Sequence, residues 1–153
     1  MLDEAYRLHA TSLLRLCVLL SGRRDVAEDL VQEAFAKAMR VIPQLGPDDV
    51  RPYLRVAVMN LWRNRLRRLS VERRLGWSRT PPDELPFEER DALWASVRRL
   101  PPRQRACVVL RYYEELSERE TAEVLRCSIG TVKSQTSRAL ARLGKEMNDA
   151  DRG

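Results

Sequence analysis

Apolar residues recur at intervals of three and four positions along nearly the whole 153-residue chain, and no segment alternates apolar with polar residues as a strand does. Because helices and strands require different spacings of apolar residues, this pattern predicts an all-α protein. Glycine and proline interrupt the pattern and mark the ends of the helices. We therefore expect helices over about 3–20, 25–42, 50–69, 88–100, 102–115 and 118–125, and a last helix that begins after Ser128.

The first two predicted helices carry signals for their ends. Ser21-Gly22 is predicted to end the first helix, since glycine readily adopts the left-handed backbone of a helix C-cap. Asp25 followed by Glu28 predicts a capping box at the start of the second helix. The inward residues of these two helices are predicted to be Tyr6, Leu13, Leu14, Leu16, Cys17 and Leu20, and Val26, Leu30, Val31, Phe35 and Met39. Those of the helix over about 102–115 are predicted to be Ala106, Val109, Leu110 and Tyr113.

The helical pattern stops between Ser70 and Phe87, where the sequence SVERRLGWSRTPPDELPF has mixed charge and three prolines. Such a composition is typical of a linker. A chain of 153 residues can bury one modest core or two small ones. We therefore predict two small helical domains, over residues 1–70 and 88–153, joined by a flexible linker over 71–87.

The charge balance narrows the class of partner. The chain has 28 basic and 22 acidic residues, a formal net charge of +6 and a pI near 9.7. Such an excess of positive charge favours a polyanionic partner, either nucleic acid or an anionic membrane surface. The sequence has no apolar run of about 18 residues, and its amino terminus has acids where a signal peptide has a basic region. We predict a cytoplasmic protein with no membrane partner.

The residues that build catalytic and metal sites are scarce. Cys17, Cys107 and Cys127 are isolated along the chain and His9 is the only histidine, so their spacing predicts neither a disulfide framework nor a zinc site. The sequence also has no nucleophile elbow, no phosphate-binding glycine loop and no recognisable pair of catalytic carboxylates. We predict that the chain is not an enzyme, holds no metal or cofactor and takes no small-molecule substrate.

The third predicted helix is strongly basic, with six arginines and no acidic residue between Val50 and Val71. Its inward residues are predicted to be Leu54, Val58, Leu61 and Leu66. Like charges on one helix repel one another unless an anion is near, although such a face can also simply be solvated. Amides can read base edges and aromatic rings can stack on unpaired bases, which favours nucleic acid, although Trp62 could equally belong to the core. The candidate contacts are Arg51, Tyr53, Arg55, Asn60, Trp62, Arg63, Asn64 and Arg67.

Two helices near the carboxyl terminus have the pattern of a helix-turn-helix. Ser117 with Glu120 predicts a capping box, Ala122 is small where a crossing helix would press close, and Ser128 is the predicted N-cap of the next helix. The second helix of such a motif enters the major groove of DNA, although a helical hairpin with no DNA role has the same outline. Val132, Ala139, Leu140 and Leu143 are predicted to face the core. The candidate DNA contacts are Ser128, Thr131, Lys133, Ser134, Gln135, Ser137, Arg138 and Arg142.

Three segments of the chain, in this order, resemble the characteristic segments of extracytoplasmic-function sigma factors, the small promoter-recognition subunits of bacterial RNA polymerase. They are AEDLVQEAFAKAMR, VRPYLRVAVMNLWRNRLRR and LPPRQRACVVLRYYEELSERETAEVLRCSIGTVKSQTSRALARL. The resemblance extends over about residues 6–143, and three ordered segments are more specific than a helix-turn-helix alone. It implies a two-domain protein that binds core RNA polymerase, recognises promoter DNA and promotes its melting.

The resemblance also implies roles for particular segments. Residues 27–40 would dock on the clamp helices of the largest polymerase subunit, with Asp29, Leu30, Gln32 and Glu33 as contacts. Residues 43–49 and the third helix would hold the melted minus-ten element, and the carboxy-terminal domain would read the minus-thirty-five element as duplex. The linker would pass near the active-site and RNA-exit channels of the polymerase. An anti-sigma factor is a further candidate partner, since relatives are commonly held inactive by one.

Three positions depart from the family pattern, and one of them is Trp62, which is less usual in the third helix. Arg126 stands where glycine often occupies the turn, which predicts either a left-handed arginine or a slightly different turn. Asn64 stands where many relatives have aspartate, so the minus-ten sequence of a relative is not transferred to this chain. Two other functions stay open. One is a stand-alone helix-turn-helix regulator whose front half binds an effector or a second subunit, and the other is an interaction protein that docks on polymerase without reading DNA. We expect no further domain after the last helix.

Overall fold

The computed structural model describes residues 2–76 and 92–152. Within these ranges the backbone forms helices and turns without a strand, which confirms the all-α prediction. The helices are α1 (Leu2–Ser21), α2 (Arg24–Ala38), α3 (Pro47–Arg74), α4 (Ala92–Arg98), α5 (Pro102–Val108), α6 (Glu118–Leu125) and α7 (Ile129–Arg152). A short 3₁₀ turn over Ile42–Gln44 precedes α3, and a π-helical turn over Val109–Tyr113 follows α5.

Two compact units divide the chain, Met1–Glu84 and Leu85–Gly153, as expected for two helical domains. The predicted linker over 71–87 and the start of the helix predicted over 88–100 lie mostly outside the described residues. The predicted domain boundaries at residues 70 and 88 therefore stay predictions.

The first unit is built from α1, α2 and α3, each of which packs against the other two. Each helix contributes a stripe of buried apolar side chains at helical spacing. These include Leu13, Leu16 and Leu20 of α1, Ala27, Leu30 and Ala34 of α2, and Leu54, Val58 and Met59 of α3. Tyr6 and Met39, both predicted inward, are instead about half exposed, and the ring of Tyr6 rests at the rim of the core, 5.1 Å from the ring of Phe35.

The junction between α1 and α2 confirms one predicted cap and corrects the other. Gly22 has a φ of 72° and follows the last residue of α1, as the predicted C-cap requires. The N-cap of α2 is Arg23, so Asp25 already lies inside the first turn. The carboxylate of Asp25 accepts hydrogen bonds from the guanidinium of Arg23 at 3.0 Å and from the N–H of Val26 at 2.9 Å. The predicted capping box is wrong, because Glu28 pairs with a neighbouring arginine and closes no box.

The helix α3 is longer than predicted at both ends. Pro47 opens it and two acidic residues follow in the first turn, where the fixed φ of proline and a negative charge both favour a helix start. The helix runs on to Arg74 and ends before Gly76, whose φ is 75°. The predicted range of 50–69 excludes Pro47 and Ser70 because proline and serine are often found at helix ends. Both are nevertheless part of α3.

The second unit packs α4, α5 and α6 against α7. Its core contains Val97, Leu100, Ala106, Cys107, Leu110, Leu116, Ala122, Val132, Ala139 and Leu143. Arg99 at the end of α4 forms an ion pair with Glu146 of α7 at 3.0 Å, and this hydrogen bond lowers the pKa of Glu146. Because three neighbouring helices touch α7, its orientation within the unit is fixed from several sides.

A π-helical turn changes the register of side chains after α5. Glu114 donates its N–H to the carbonyl of Val109 at 3.1 Å, five residues back instead of four. The wider turn inserts one residue and rotates the side chains that follow around the helix axis. Tyr113, predicted inward, is therefore 40% exposed, while Leu116 is buried. The prediction for Tyr113 is wrong because it assumes an uninterrupted α-helix.

The turn between α6 and α7 holds Arg126 in the left-handed region, with φ 55° and ψ 48°. This decides between the two turns that the sequence allows. The Cβ atom of a non-glycine residue destabilises this conformation by about 1 kcal/mol. We expect Arg126→Gly to raise the free energy of unfolding of the second unit by up to about 1 kcal/mol, since glycine removes that clash.

Urea denaturation of the full chain, followed in the transition of the second unit, measures this effect. A matched control is Arg119→Gly, which changes an exposed arginine inside α6 and should lower stability by about 1 kcal/mol. Equal destabilisation by both substitutions would contradict the left-handed assignment.

Candidate nucleic-acid and polymerase-binding surfaces

The α6–turn–α7 segment has helix-turn-helix geometry, and caps hold both of its helices. The hydroxyl of Ser117 accepts the N–H of Glu120 at 3.0 Å, and the carboxylate of Glu120 accepts the N–H of Ser117 at 3.0 Å, which confirms the predicted capping box. The hydroxyl of Ser128 accepts the N–H of Thr131 at 3.0 Å, which confirms the predicted cap of α7. Both caps satisfy backbone donors that would otherwise lack partners, so the direction in which α7 leaves the turn is well defined.

The helix α7 has a buried stripe, and its residues 129–145 contain no acidic residue. The buried stripe consists of Val132, Thr136, Ala139 and Leu143. Leu140, predicted to face the core, is 45% exposed, because it lies about 100° around the helix from Ala139, at the flank of the stripe. No acidic residue lies between residues 129 and 145, so the surface opposite the stripe is positive along most of its length.

The predicted DNA contacts of α7 all lie outside the buried stripe. One side of the helix carries Thr131, Gln135, Arg138 and Arg142. The other side carries Lys133 and Ser137, with Ser134 between the two sides. All are exposed except Thr131 and Gln135, which are partly exposed. Hydroxyl and amide groups therefore lie near the amino end of α7, and most of the cations lie further along.

The predicted minus-ten residues fall on two sides of α3. At about 3.6 residues per turn, one side carries Tyr53, Asn60, Asn64 and Arg67, which we name the amide stripe. Asn64 and Arg67 are exposed, and Tyr53 and Asn60 are partly exposed. Arg63, at the edge of the stripe, donates a hydrogen bond to Oδ1 of Asn60. This bond orients the Asn60 amide, whose NH₂ group is a potential donor to a base edge.

The opposite side of α3 carries Arg51, Arg55 and Trp62 and belongs largely to the packing of the first unit. Trp62 is 5% exposed, so its ring offers no face on which a base could stack. The predicted minus-ten contact of Trp62 is therefore corrected to a core role. Arg51 donates to the hydroxyl of Ser12 on α1, and burial together with the charge of Arg51 lowers the pKa of His9. Arg51 thus joins α3 to α1.

Three of the predicted polymerase contacts lie together on α2. Asp29, Gln32 and Glu33 follow i, i+3, i+4 spacing, which places them on one face, and all three are exposed. Their carboxylates and amide suit a basic or hydrogen-bonding partner surface. Leu30 is 2% exposed, so its predicted contact role is corrected: it packs in the core and reaches a partner only through the groove described next.

A groove of about 210 Å³ lies between α2 and α3, and we name it the α2–α3 groove. Leu30 and Leu61, both buried, line its floor. Its walls are formed by Glu33 and Lys37 of α2 and by Asn64, Arg65 and Arg68 of α3. Sequence reasoning missed Lys37, Arg65 and Arg68 as a group. From its i, i+4, i+7 spacing, the set of Leu61, Arg65 and Arg68 could have been predicted to share one side of α3. That α2 lies against this side is visible only in the fold.

The cysteines and the other potential metal ligands form no recognisable site in the described residues. Cys17 and Cys107 are buried, Cys127 is partly exposed, and burial raises the pKa of the Cys107 thiol to about 11, which keeps it protonated and unreactive. Across residues 2–76 and 92–152, no three His, Cys, Asp or Glu side chains are grouped so that they could hold a metal ion. None of the helices in those ranges combines the length and apolarity needed to cross a membrane.

Comparison with known proteins finds a family match in each half of the chain. The protein family described as Sigma-70 region 2 matches residues 5–71, and the family described as Sigma-70, region 4 matches residues 83–143. The ECF RNA polymerase sigma factor SigE of Mycolicibacterium smegmatis is 33% identical over 152 residues, which cover 92% of this chain and 59% of that relative. The RNA polymerase sigma-E factor of Streptomyces coelicolor is 39% identical, over 95% of this chain and 85% of the relative. The chain belongs to the extracytoplasmic-function family of sigma factors.

A solved structure has the same fold as this chain. The sigma factor RpoE of Bartonella quintana, solved in complex with the anti-sigma factor NepR, has a TM-score of 0.75 to this sigma factor at 24% identity. The match covers 95% of this chain and 96% of RpoE. In this sigma factor, most of α1–α3 lies within the region 2 match and most of α4–α7 lies within the region 4 match.

Proposed function

We propose that this sigma factor binds core RNA polymerase through α2, holds the unwound minus-ten element on the amide stripe, and reads the minus-thirty-five element as duplex through α7. The observation that carries the proposal is that two separate units of one chain each present an exposed basic helix, one with amides and one in a helix-turn-helix. A regulator that reads duplex DNA alone needs only one such helix. The protein acts by binding, with no reaction of its own, and works in the cytoplasm beside its polymerase.

The surface of α7 suits a duplex because a rigid helix can enter the major groove with its amino end. Thr131, Ser134 and Gln135 near that end carry hydroxyl and amide groups that can read base edges. The cations further along the surface suit phosphate oxygens, which fix the position of the helix on the duplex. Recognition of bases and positioning by phosphates are thus divided along one helix.

The amide stripe suits a single strand for a different reason. Opening a duplex is favourable only when the exposed bases and phosphates gain contacts that pairing had denied them. Asn60 and Asn64 offer amides to base edges, Tyr53 offers a partly exposed ring, and Arg67 offers a charge to the phosphates. The loop before α3, with the 3₁₀ turn over Ile42–Gln44, supplies a second wall for the strand.

The face of α2 with Asp29, Gln32 and Glu33 would dock on the clamp helices of the largest polymerase subunit. Its exposed carboxylates match a basic partner surface, and the buried residues behind them hold the helix in place. An anti-sigma factor is a further proposed partner, because the family to which the chain belongs is commonly regulated in this way.

Run-off transcription with purified, sigma-free core polymerase on a library of promoter fragments tests the proposed function. We expect transcripts that begin at defined sites only when this sigma factor is present. The free protein should bind the same promoters weakly, whereas a stand-alone regulator would bind them tightly without polymerase. Random initiation with core, equal to that of core alone, would contradict the proposal.

Lys133→Ala with Arg138→Ala should weaken binding of the holoenzyme to minus-thirty-five duplex by roughly a hundredfold, since each residue supplies a cation to phosphate or guanine. The slope of log affinity against log salt should also fall by about two, because about two fewer counterions are released. Fluorescence anisotropy with labelled duplex measures both. Lys145→Ala is the matched control, since it removes an exposed cation of α7 beyond the helix-turn-helix. Unchanged promoter choice in the double variant would favour a polymerase-docking protein that does not read DNA.

A further inference from the structure

The α2–α3 groove belongs to neither the predicted docking face nor the predicted minus-ten surface, yet it touches both. Glu33 on its wall belongs to the docking face of α2, and Asn64 on the opposite wall belongs to the amide stripe. Its floor is apolar, because Leu30 and Leu61 line it with buried side chains. A concave site with an apolar floor and charged walls is suited to a ligand that is itself partly apolar and partly charged.

The charges on the walls favour an anionic ligand that also has a group able to lie beside the carboxylate of Glu33. Lys37, Arg65 and Arg68 supply positive charge, and Glu33 is the acid among the lining residues. Among residues 2–76, no salt bridge involves Lys37, Arg65, Arg68 or Glu33. The cations are therefore available to a partner, and their combined field attracts negative groups.

A protein segment fits the groove better than a DNA strand does. A sugar-phosphate backbone has no cation to pair with the carboxylate of Glu33, and the leucine floor would gain little from it. A helical protein segment can satisfy all parts of the groove at once. Its acidic side chains can pair with the arginines, a basic one can pair with Glu33, and an apolar one can cover the floor.

We propose that the α2–α3 groove receives an acidic and apolar helical segment of core RNA polymerase, so that the docking surface crosses from α2 onto α3. Arg65 and Arg68 bind carboxylates of that segment, while Leu30 and Leu61 receive its apolar side chain. The inference rests on the proposed function, since it names further residues for the same partner. It assigns the C-terminal half of α3 two tasks on two sides: polymerase binding in the groove and strand binding on the amide stripe.

Charge reversal in the groove tests this assignment. Arg65→Glu with Arg68→Glu in the full chain should weaken binding to core polymerase roughly tenfold to a hundredfold, because paired charges become repulsive. Lys37→Glu, on the α2 wall, should weaken it in the same direction. The matched control is Arg7→Glu with Arg74→Glu, which makes the same change in charge on exposed residues of the first unit that line neither the groove nor the amide stripe. That control should bind core as the wild type does.

Competition binding against labelled wild-type chain measures core affinity, and holoenzyme binding to a single-stranded minus-ten oligonucleotide measures the other task. Wild-type core affinity in both groove variants would overturn the inference, and so would a loss confined to the oligonucleotide, which would assign the groove to DNA. Failure of the wild-type chain to bind core would overturn the proposed function as well. Thermal unfolding of each variant shows that the first unit remains folded.

Discussion

Asp29→Ala combined with Gln32→Ala is expected to abolish measurable binding of this sigma factor to core RNA polymerase while leaving its fold intact. Both side chains are exposed on the proposed docking face of α2, so neither contributes to the core of the first unit. The few residues that dominate an interface contribute about 2 kcal/mol or more each, and with Asp29 and Gln32 as two of them their joint loss should weaken binding roughly a thousandfold. Co-purification with tagged core and titration by fluorescence anisotropy measure the loss.

The matched control for this pair is Glu28→Ala. Glu28 is an exposed acid of the same helix, one turn before Gln32, but its carboxylate is already engaged in an ion pair with Arg24 at 3.0 Å. An exposed pair of this kind contributes less than about 1 kcal/mol, and alanine is the strongest helix former. Glu28→Ala should therefore bind core as the wild type does. Undiminished co-purification of the double variant would place the docking face elsewhere on the first unit.

Trp62→Ala should lower the free energy of unfolding of the first unit by about 3–5 kcal/mol, since it leaves a large cavity in a packed core. The side chain is 5% exposed, and the buried residues of all three helices surround the same core. Because a loss of this size is a large fraction of the stability of a small domain, we expect partial unfolding at growth temperature. Thermal and urea denaturation followed by circular dichroism measure the change.

Tyr53→Ala separates packing from strand binding. Tyr53 is partly exposed on the amide stripe, so its removal should reduce binding of the holoenzyme to single-stranded minus-ten DNA more than it reduces stability. Trp62→Phe should keep most of the stability and all of the strand binding, because the smaller ring still fills much of the site. A stable Trp62→Ala protein that has lost only strand binding would restore Trp62 to the DNA-contacting set.

Local signals in the sequence were sufficient for the helix-turn-helix, although the equally local pattern of Asp25 and Glu28 predicted a capping box that does not form. The capping box of Ser117 and Glu120 and the N-cap of Ser128 are made within one turn of backbone, and both are confirmed. The left-handed Arg126 was one of the two turns that the sequence allowed, and only the structure decides between them. The helix-turn-helix could be predicted for this reason: each of its defining hydrogen bonds joins residues only a few positions apart.

The sequence was insufficient where packing between distant elements decides the outcome. Trp62 and the amides of α3 belong to one helix, and only the position of α1 and α2 determines which side is buried. The π-helical turn after α5 rotates Tyr113 outward, and its sequence VLRYY contains no glycine or proline from which the turn could be predicted. The α2–α3 groove requires two helices to meet, so periodicity along either one does not reveal it.

The helix α3 is unbroken from Pro47 to Arg74, and this continuity has a mechanical consequence. Each added residue turns a helix by about 100° and lengthens it by about 1.5 Å. A one-residue insertion after Leu61 would rotate Arg65 and Arg68 away from the leucine floor. It would also change the orientation of the bound DNA strand relative to the polymerase. The position of the unwound DNA would thus depend on how the side chains of α3 are rotated about the helix axis. Substitutions along α3 should therefore be tolerated far more readily than insertions.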